Sequence, residues 1–379
     1  MIEIQEVKTQ KQRKEFVDFV NKLYRDDPNY MPAVFSDSLS SLNPEKNRSF
    51  NYCEARFWLA KRDGKTVGRI GAVINHSANI KWNKNLMRFW HVDFIDDAEV
   101  SSALFSEVEK WAKERECSEI AGPLGFTDLD LEGMLIDGFD ERGLFVTYYN
   151  HPYYIKHLED LGYVKDVDWV EYRGNCPEKK EDYAKLTHIS ELCLKRYNLH
   201  VKEIKTSKDF EYAASDIMKM INTAYTDLYS TSELDEEQRA AYVKSFKPIV
   251  NYKTLIALYD ESEEMVGFVA AIPDISKALK KSDGKLFPLG WIRVLRAIKK
   301  NDEYICILIG ISPEYRNKGV PAILISHLFD GFVEVGAKTA VTCPMLEDNA
   351  KVLGLLKVFP SYTYKRRRSF VKRLSRLSD

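Results

Sequence analysis

Residues Tyr304 to Pro344 constrain this chain more than any other stretch. Tyr304 to Ile311 reads YICILIGI, an unbroken apolar run rich in β-branched isoleucine, the pattern of a strand buried on both faces. Ser312-Pro313-Glu314 interrupts it, and Arg316-Asn317-Lys318-Gly319 makes a short polar loop. Ala322, Ile323, Leu324, Leu328, Phe329 and Val333 then recur at helical spacing up to Gly336, a natural stop. Thr339 to Cys343 reads as a second buried strand, ended by Pro344. A strand–loop–helix–strand unit of this kind points to an α/β fold. The helix's first turn leaves backbone N–H groups facing outward at the positive end of its dipole, and Arg316 and Lys318 add charge beside them, an arrangement that takes phosphate. A solvated turn is the plain alternative for the loop taken alone.

The chain has 379 residues, enough for two medium domains or one large one. A formal net charge of −1 gives no global attraction to nucleic acid. Six cysteines lie scattered with no Cys-x-x-Cys pair, which fits reduced thiols in a cytoplasmic protein rather than a disulfide framework or zinc site. The seven histidines show no metal-ligand spacing, so no metal is expected, and no apolar run is long enough to span a bilayer.

Taken in order, the chain states one pattern twice. A first strand at Met1 to Val7 precedes a helix over 11–25 that puts Phe16, Phe19, Val20 and Leu23 on one face. Residues 57–75 read as a hairpin turning at Asp63-Gly64. A strand at 88–95, an amphipathic helix over 97–115, a strand at 119–122, a short helix from Tyr153 and a closing strand at 168–172 follow. After a charged connecting helix, a strand at 199–204, helices through 218–225 and 236–246, a hairpin over 254–274, the unit described above, a short helix at 349–358 and a strand at 363–367 repeat that order. The expected division is 1–177, a connector at 178–198, and 199–379.

The order strand, Pro-Glu-Tyr-Arg-Asn-Lys-Gly, helix, strand, Glu-Asp-Asn resembles the acyl-CoA-binding core of the GNAT superfamily of N-acyltransferases, whose Arg-x-x-Gly-x-Gly/Ala loop holds the CoA pyrophosphate. Through the repeat, the resemblance extends over nearly the whole chain as two tandem GNAT-like domains with a mixed sheet. It implies that Ile309, Gly310 and Ile311 flank the thioester, and that Arg316, Asn317, Lys318, Gly319, Val320, Pro321, Ala322 and Asn349 hold the cofactor. Pro321 departs from the family's Gly or Ala and removes one backbone donor. The co-substrate implied is acetyl-CoA or a longer acyl-CoA. Tyr24-Arg25-Asp26-Asp27-Pro28, Gly122-Pro123, Leu135 to Asp140, Asn150-His151-Pro152-Tyr153-Tyr154 and Leu346-Glu347-Asp348-Asn349 further resemble a bacterial family of two-domain GNAT proteins, some linked to sphingolipid-type N-acylation. The first half has no such loop, residues 94–99 reading Phe-Ile-Asp-Asp-Ala-Glu, so it is expected not to bind CoA and to help shape the acceptor site.

Acyl transfer to an amine needs a base, a polarised carbonyl and an acid for the leaving thiolate. Glu347 is the candidate base, with Glu303 a poorer one. The family's tyrosine acid falls at Leu356 here, leaving Tyr225 or water in that role. Between Asp274 and Tyr304 lies an insertion whose residues 286–300 combine Leu286, Phe287, Leu289, Trp291 and Leu295 with Arg293, Arg296, Lys299 and Lys300. It fits a peripheral contact with the inner membrane face, an acyl-chain wall, or packing on the first half. Lys365 to Arg368 form a basic cluster that fits contact with CoA phosphates or anionic lipid, with a solvated basic terminus as the default. The expected function is N-acyl transfer from acyl-CoA to an amine-bearing small molecule or lipid. The alternatives are an aminoacyl-tRNA-dependent transferase, which the neutral charge disfavours, and a non-catalytic GNAT-fold binding protein.

Overall fold

The computed structural model describes residues 1–316, 318–355 and 359–374; the expectations at Asn317 and Leu356 lie outside them. The chain forms β1 (Glu3–Glu6), α1 (Gln10–Leu23), α2 (Phe35–Ser41), β2 (Cys53–Arg62), β3 (Lys65–Asn75), α3 (His76–Trp82), β4 (Leu86–Phe94), α4 (Ala98–Glu114), β5 (Glu119–Gly122), β6 (Met134–Asp137), α5 (Tyr153–Asp160) and β7 (Val164–Asn175). Then come α6 (Ala184–Tyr197), β8 (His200–Val201), α7 (Ser207–Ala224), α8 (Glu236–Phe246), β9 (Leu255–Tyr259), β10 (Met265–Pro273), α9 (Ser276–Lys280) and α10 (Gly290–Lys299). The last elements are β11 (Glu303–Ile311), α11 (Val320–Val335), β12 (Thr339–Thr342), β13 (Met345–Leu346), α12 (Ala350–Leu355) and β14 (Ser361–Arg373).

These elements gather into two compact units that interleave along the chain. Unit 1 holds Met1–Val170, Ser276–Arg293 and Tyr364–Asp379; unit 2 holds Glu171–Ile275 and Val294–Thr363. The division expected from the sequence is consecutive, whereas here β7 is shared, Val164–Val170 in unit 1 and Glu171–Asn175 in unit 2, and β14 from Tyr364 onward belongs to unit 1. In unit 1 the order is β1-β2-β3-β4-β5-β14, with β6 also on β14. In unit 2 residues Glu171–Asn175 of β7 lead the order β7-β12-β11-β10-β9-β8. Among the described residues β4 runs parallel to β5 in unit 1 and β11 parallel to β12 in unit 2.

Local chemistry explains the elements that position the site. Asp63 and Gly64 take φ values of 52° and 72°, the left-handed pair that a two-residue hairpin requires, and Arg62 faces Lys65 across it. Helix α11 buries Val320, Ile323, Leu324, Leu328, Phe329 and Phe332 against Ile256, Leu258, Val269 and Ala271 of β9 and β10. It ends at Gly336 with φ 69°, a left-handed stop that favours glycine. In unit 1 the same layer is made by α4, whose Leu104, Phe105, Val108 and Trp111 pack on Phe89, Ile70 and Trp58.

Two members of the basic cluster near the C-terminus are buried and the other two, Arg366 and Arg368, are half-buried. Lys365 and Arg367 are buried in β14; Lys365 Nζ donates to the Arg142 carbonyl at 2.7 Å, and Arg367 donates to the carbonyls of Gly133 and Tyr148. Arg368 makes a two-pronged pair with Asp168 at 2.8 and 2.9 Å. The default for such a charge run fails because the chain spends these cations on loop carbonyls that would otherwise lack donors. The start of the insertion also has a structural role: Gly284 accepts from the Phe35 N–H at 3.0 Å and Ser276 Oγ from the Phe145 N–H at 2.9 Å, both within unit 1.

Candidate functional site

The parallel pair in unit 2 opens like a fork. Its register runs from Glu303 opposite Thr339 to Cys306 opposite Thr342, where β12 ends. β11 continues to Ile311, paired on its other side with β10 through Ala270–Leu308, Val269–Ile309, Phe268–Gly310 and Gly267–Ile311. Past Cys306, therefore, the β12-side edge of β11 offers backbone groups with no facing strand among the described residues, the kind of edge that an extended amide-bearing chain can pair with. Tyr225, at the end of α7, donates from its hydroxyl to the Ile309 carbonyl at 3.0 Å. The expected thioester end of β11 and the candidate acid thus meet. Gly310 is held close to its neighbour: a Cβ there would lie 2.5 Å from the Phe268 ring.

From Ile311 the chain turns through Ser312, whose N–H donates to the Val266 carbonyl at 2.9 Å, and a single 3-10 turn at Pro313–Tyr315. Gly319 follows with φ 74° and is the residue before α11; as glycine it brings no capping side chain of its own, and Pro321 sits in the first turn. The Ala322 N–H closes that turn on the Gly319 carbonyl at 2.9 Å. The N-cap residue thus places no carboxylate of its own at the positive end of the helix dipole.

Helix α6, expected as a connector, is part of this site. It packs along α11, with Thr187 Oγ1 3.3 Å from Ser326 Oγ. A Cβ on Gly319 would come within 2.5 Å of Cys193 Sγ, so glycine is required there by both conformation and space. The Lys318 ammonium lies 4.4 Å from the Tyr315 ring centre and 5.7 Å from that of Tyr197, within reach of both π faces. Sequence reasoning missed Cys193 and Tyr197, because nothing in an amphipathic helical pattern names the element it covers.

The other expected residues are placed less centrally. Glu347 is exposed in the turn after β13. Asn349 follows it; its N–H donates to the Leu346 carbonyl and its own carbonyl accepts from the Leu353 N–H, both at 3.1 Å. Arg316 is half-buried beside the loop. Glu303, the poorer base, lies at the far end of β11 from the fork.

Unit 1 has the same fork and fills it. Its parallel register runs from Leu86–Glu119 to Arg88–Ala121, and β4 continues to Phe94. Tyr148 donates to the Val92 carbonyl at 2.7 Å, the Phe94 N–H donates to the Tyr154 hydroxyl at 2.8 Å, and Tyr153 donates to the Phe94 carbonyl. The helix that follows, α4, is capped by Asp97, whose carboxylate accepts from the Glu99 N–H at 2.9 Å and from Arg62 at 2.7 Å. That arginine holds the Asp97 carboxyl below its usual range.

No family model matches the chain. It is 26% identical over 367 residues to Protein YghO of Escherichia coli (strain K12), covering 95% of this chain and 93% of that one. It is also 26% identical over 298 residues to a bacterial ceramide synthase of Caulobacter vibrioides (strain NA1000 / CB15N), covering 77% and 75%. Among solved structures it is similar to a tandem GNAT protein from the clavulanic acid biosynthesis pathway, with a TM-score of 0.57 at 10% identity over the full length of both chains. A GCN5-related N-acetyltransferase from Sphaerobacter thermophilus matches with a TM-score of 0.50 at 9% identity, over 98% of this chain and 95% of that one. The fold is the tandem GNAT fold.

Proposed function

We propose that the protein is an N-acyltransferase that takes an acyl group from acyl-CoA in unit 2 and delivers it to an amine. The observation that carries this reading is the fork past Cys306 ending at a helix N-terminus whose N-cap is Gly319. The β11 edge would grip the pantetheine amides, and the N-terminus of α11 with Arg316 and Lys318 would take the pyrophosphate, helped by Asn349. Glu347 would accept the amine's proton. The amine nitrogen then bonds to the thioester carbon, the C–S bond breaks, and Tyr225 supplies the proton to the leaving sulfur. The relationship to a ceramide synthase supports a lipid-type amine as acceptor.

The insertion supports work at a bilayer surface. Phe287 is 81% exposed, and Leu289, Trp291 and Leu295 are also exposed, interspersed with Arg293, Arg296, Lys299 and Lys300. Apolar side chains beside cations suit an anionic interface, and among the described residues no helix is long and apolar enough to cross a membrane. Co-sedimentation with vesicles containing anionic lipid should fall at least tenfold in Phe287→Ser/Trp291→Ser; equal sedimentation removes the membrane from the reading.

The first test of the enzyme is calorimetric titration with CoA, acetyl-CoA and palmitoyl-CoA. Binding that strengthens with chain length supports lipid-type transfer. Equal binding of all three points to a small acyl group. In Gly319→Val, affinity should drop by more than 100-fold, since the side chain meets both the positive φ and Cys193. Unchanged affinity refutes the assignment of the loop. Binding without turnover on any amine favours the non-catalytic alternative.

A further inference from the structure

Three stretches that the proposed chemistry leaves unused converge in unit 1. Leu23 and the turn Asp26-Asp27-Pro28-Asn29, Phe139 after β6, and Tyr149, His151 and Pro152 before α5 line an open cleft of about 490 Å³, within the size range of small-ligand sites. We infer that this cleft binds an ammonium group carried on an apolar chain.

Apart from Tyr149, the ionisable lining residues are Asp26, Asp27 and His151. Asp26 and Asp27 supply carboxylates, and neither lysine nor arginine is among the lining residues. The nearby Lys280 ammonium is turned to backbone, donating to the carbonyls of Asp27 and Pro28 at 2.6 and 2.8 Å. Burial lowers its pKa, and the neighbouring Asp27 charge works against that shift. Asp27 is built in place: one oxygen accepts the Asn29 N–H at 2.8 Å and the other the Tyr149 hydroxyl at 2.6 Å. A carboxylate offers about four acceptor positions, so this geometry leaves capacity for a further donor. His151 stands beside it, Nδ1 3.6 Å from Asp27 Oδ2, with its ring against Tyr24 at 4.9 Å and Tyr153 at 5.6 Å. Leu23, Pro28, Phe139 and Pro152 make the rest of the wall apolar. Fixed carboxylates with an aromatic face and an apolar wall select an amphiphilic cation over a neutral or anionic relative.

Position argues for the same ligand. Tyr24 joins the cleft to the end of the filled fork: its ring packs on His151, while its hydroxyl bonds Asp93 of β4 at 3.3 Å and Tyr154 at 2.8 Å. The cleft therefore opens at the strand end corresponding to the one where unit 2 meets its thioester in the reading above. Equating the ligand with the acceptor amine rests on that reading; the preference for ammonium does not.

The test uses the full chain and three probes below their micellar concentrations: octylamine, octanol and octanoate, each titrated calorimetrically. Octylamine should bind at least tenfold tighter than octanol, and octanoate should not compete. Asp26→Asn changes an exposed side chain and should weaken octylamine at least tenfold with acyl-CoA binding and Tm unchanged. Asp27→Asn keeps an oxygen for the Asn29 N–H but not for the Tyr149 hydroxyl, so it should weaken octylamine at least tenfold with a lowered Tm and unchanged acyl-CoA binding. Equal binding of amine and alcohol, or unchanged octylamine affinity in Asp26→Asn and Asp27→Asn, overturns the proposal. Carboxylate-dependent octylamine binding in a protein that binds no acyl-CoA upholds the cleft and sinks the proposed function instead.

Discussion

Unit 1 and unit 2 build the same fork and finish it in opposite ways. At the end of β4, tyrosine hydroxyls occupy the Val92 carbonyl and both backbone groups of Phe94, and the next helix starts under the Asp97 carboxylate. At the end of β11, Tyr225 reaches the Ile309 carbonyl, and the next helix starts at Gly319, which brings no capping side chain of its own. An N-terminus satisfied by its own carboxylate has little left for a phosphate; one flanked by Arg316 and Lys318 has a great deal. One fold thus finishes the same strand end in two ways, with internal tyrosine partners in unit 1 and with an edge left unpaired by a strand in unit 2 among the described residues.

The largest effect should come from unsealing unit 1. Arg69 Nε bonds Asp93 at 2.7 Å, both residues being buried, and Arg69 also donates to the Phe16 carbonyl at 2.8 Å. Asp93→Ala strands that guanidinium and should cost about 3–5 kcal/mol in urea unfolding. A loss below about 1 kcal/mol would mean that the seal is held by the tyrosines alone.

The loops after the short parallel strands sharpen the contrast. In unit 2 that loop carries the exposed Glu347; in unit 1 it carries Asp128, Asp130 and Glu132, all raised by burial. The Asp130 carboxyl, accepting the Thr127 N–H at 3.0 Å, is pushed up to about 6 from its ordinary 3.8. A raised carboxyl favours the fold at low pH, and this contribution disappears as pH rises through about 6. Asp130→Asn should therefore raise stability at pH 7.5, by at most about 3 kcal/mol, and leave it unchanged near pH 4. A pH-independent difference would detach the effect from titration.

Much of this architecture was legible in the sequence, and the gaps have physical reasons. The Asp63-Gly64 hairpin, the stop at Gly336 and the strand–loop–helix unit follow from local conformational demands that few residue types meet. The placement of β7 and β14 was not legible, since alternation fixes which face a strand buries but not which neighbour it joins. Lys365 and Arg367 misled for a related cause: their partners are loop carbonyls, which leave no mark in composition. At the site, Gly319 and Tyr225 could be picked out, but Cys193 and Tyr197 come from a helix whose target only tertiary packing reveals. The pairing of Asp27 with Tyr149 spans more than a hundred residues and was equally silent.

Two smaller effects test the helix ends directly. Lys318→Met removes the cation beside Gly319 and should weaken acyl-CoA about tenfold, near 1.4 kcal/mol, with the loss shrinking as salt screens the pair. At the opposite helix, Asp97→Ala removes a cap and should destabilise unit 1 by about 1 kcal/mol. It should leave the amount of acyl-CoA bound at one equivalent, because uncapping α4 does not vacate the end of β4, where Tyr148, Tyr153 and Tyr154 still hold the backbone. A second equivalent bound by Asp97→Ala would show that the carboxylate alone had closed unit 1, and that the tyrosines filled a space no cofactor needs.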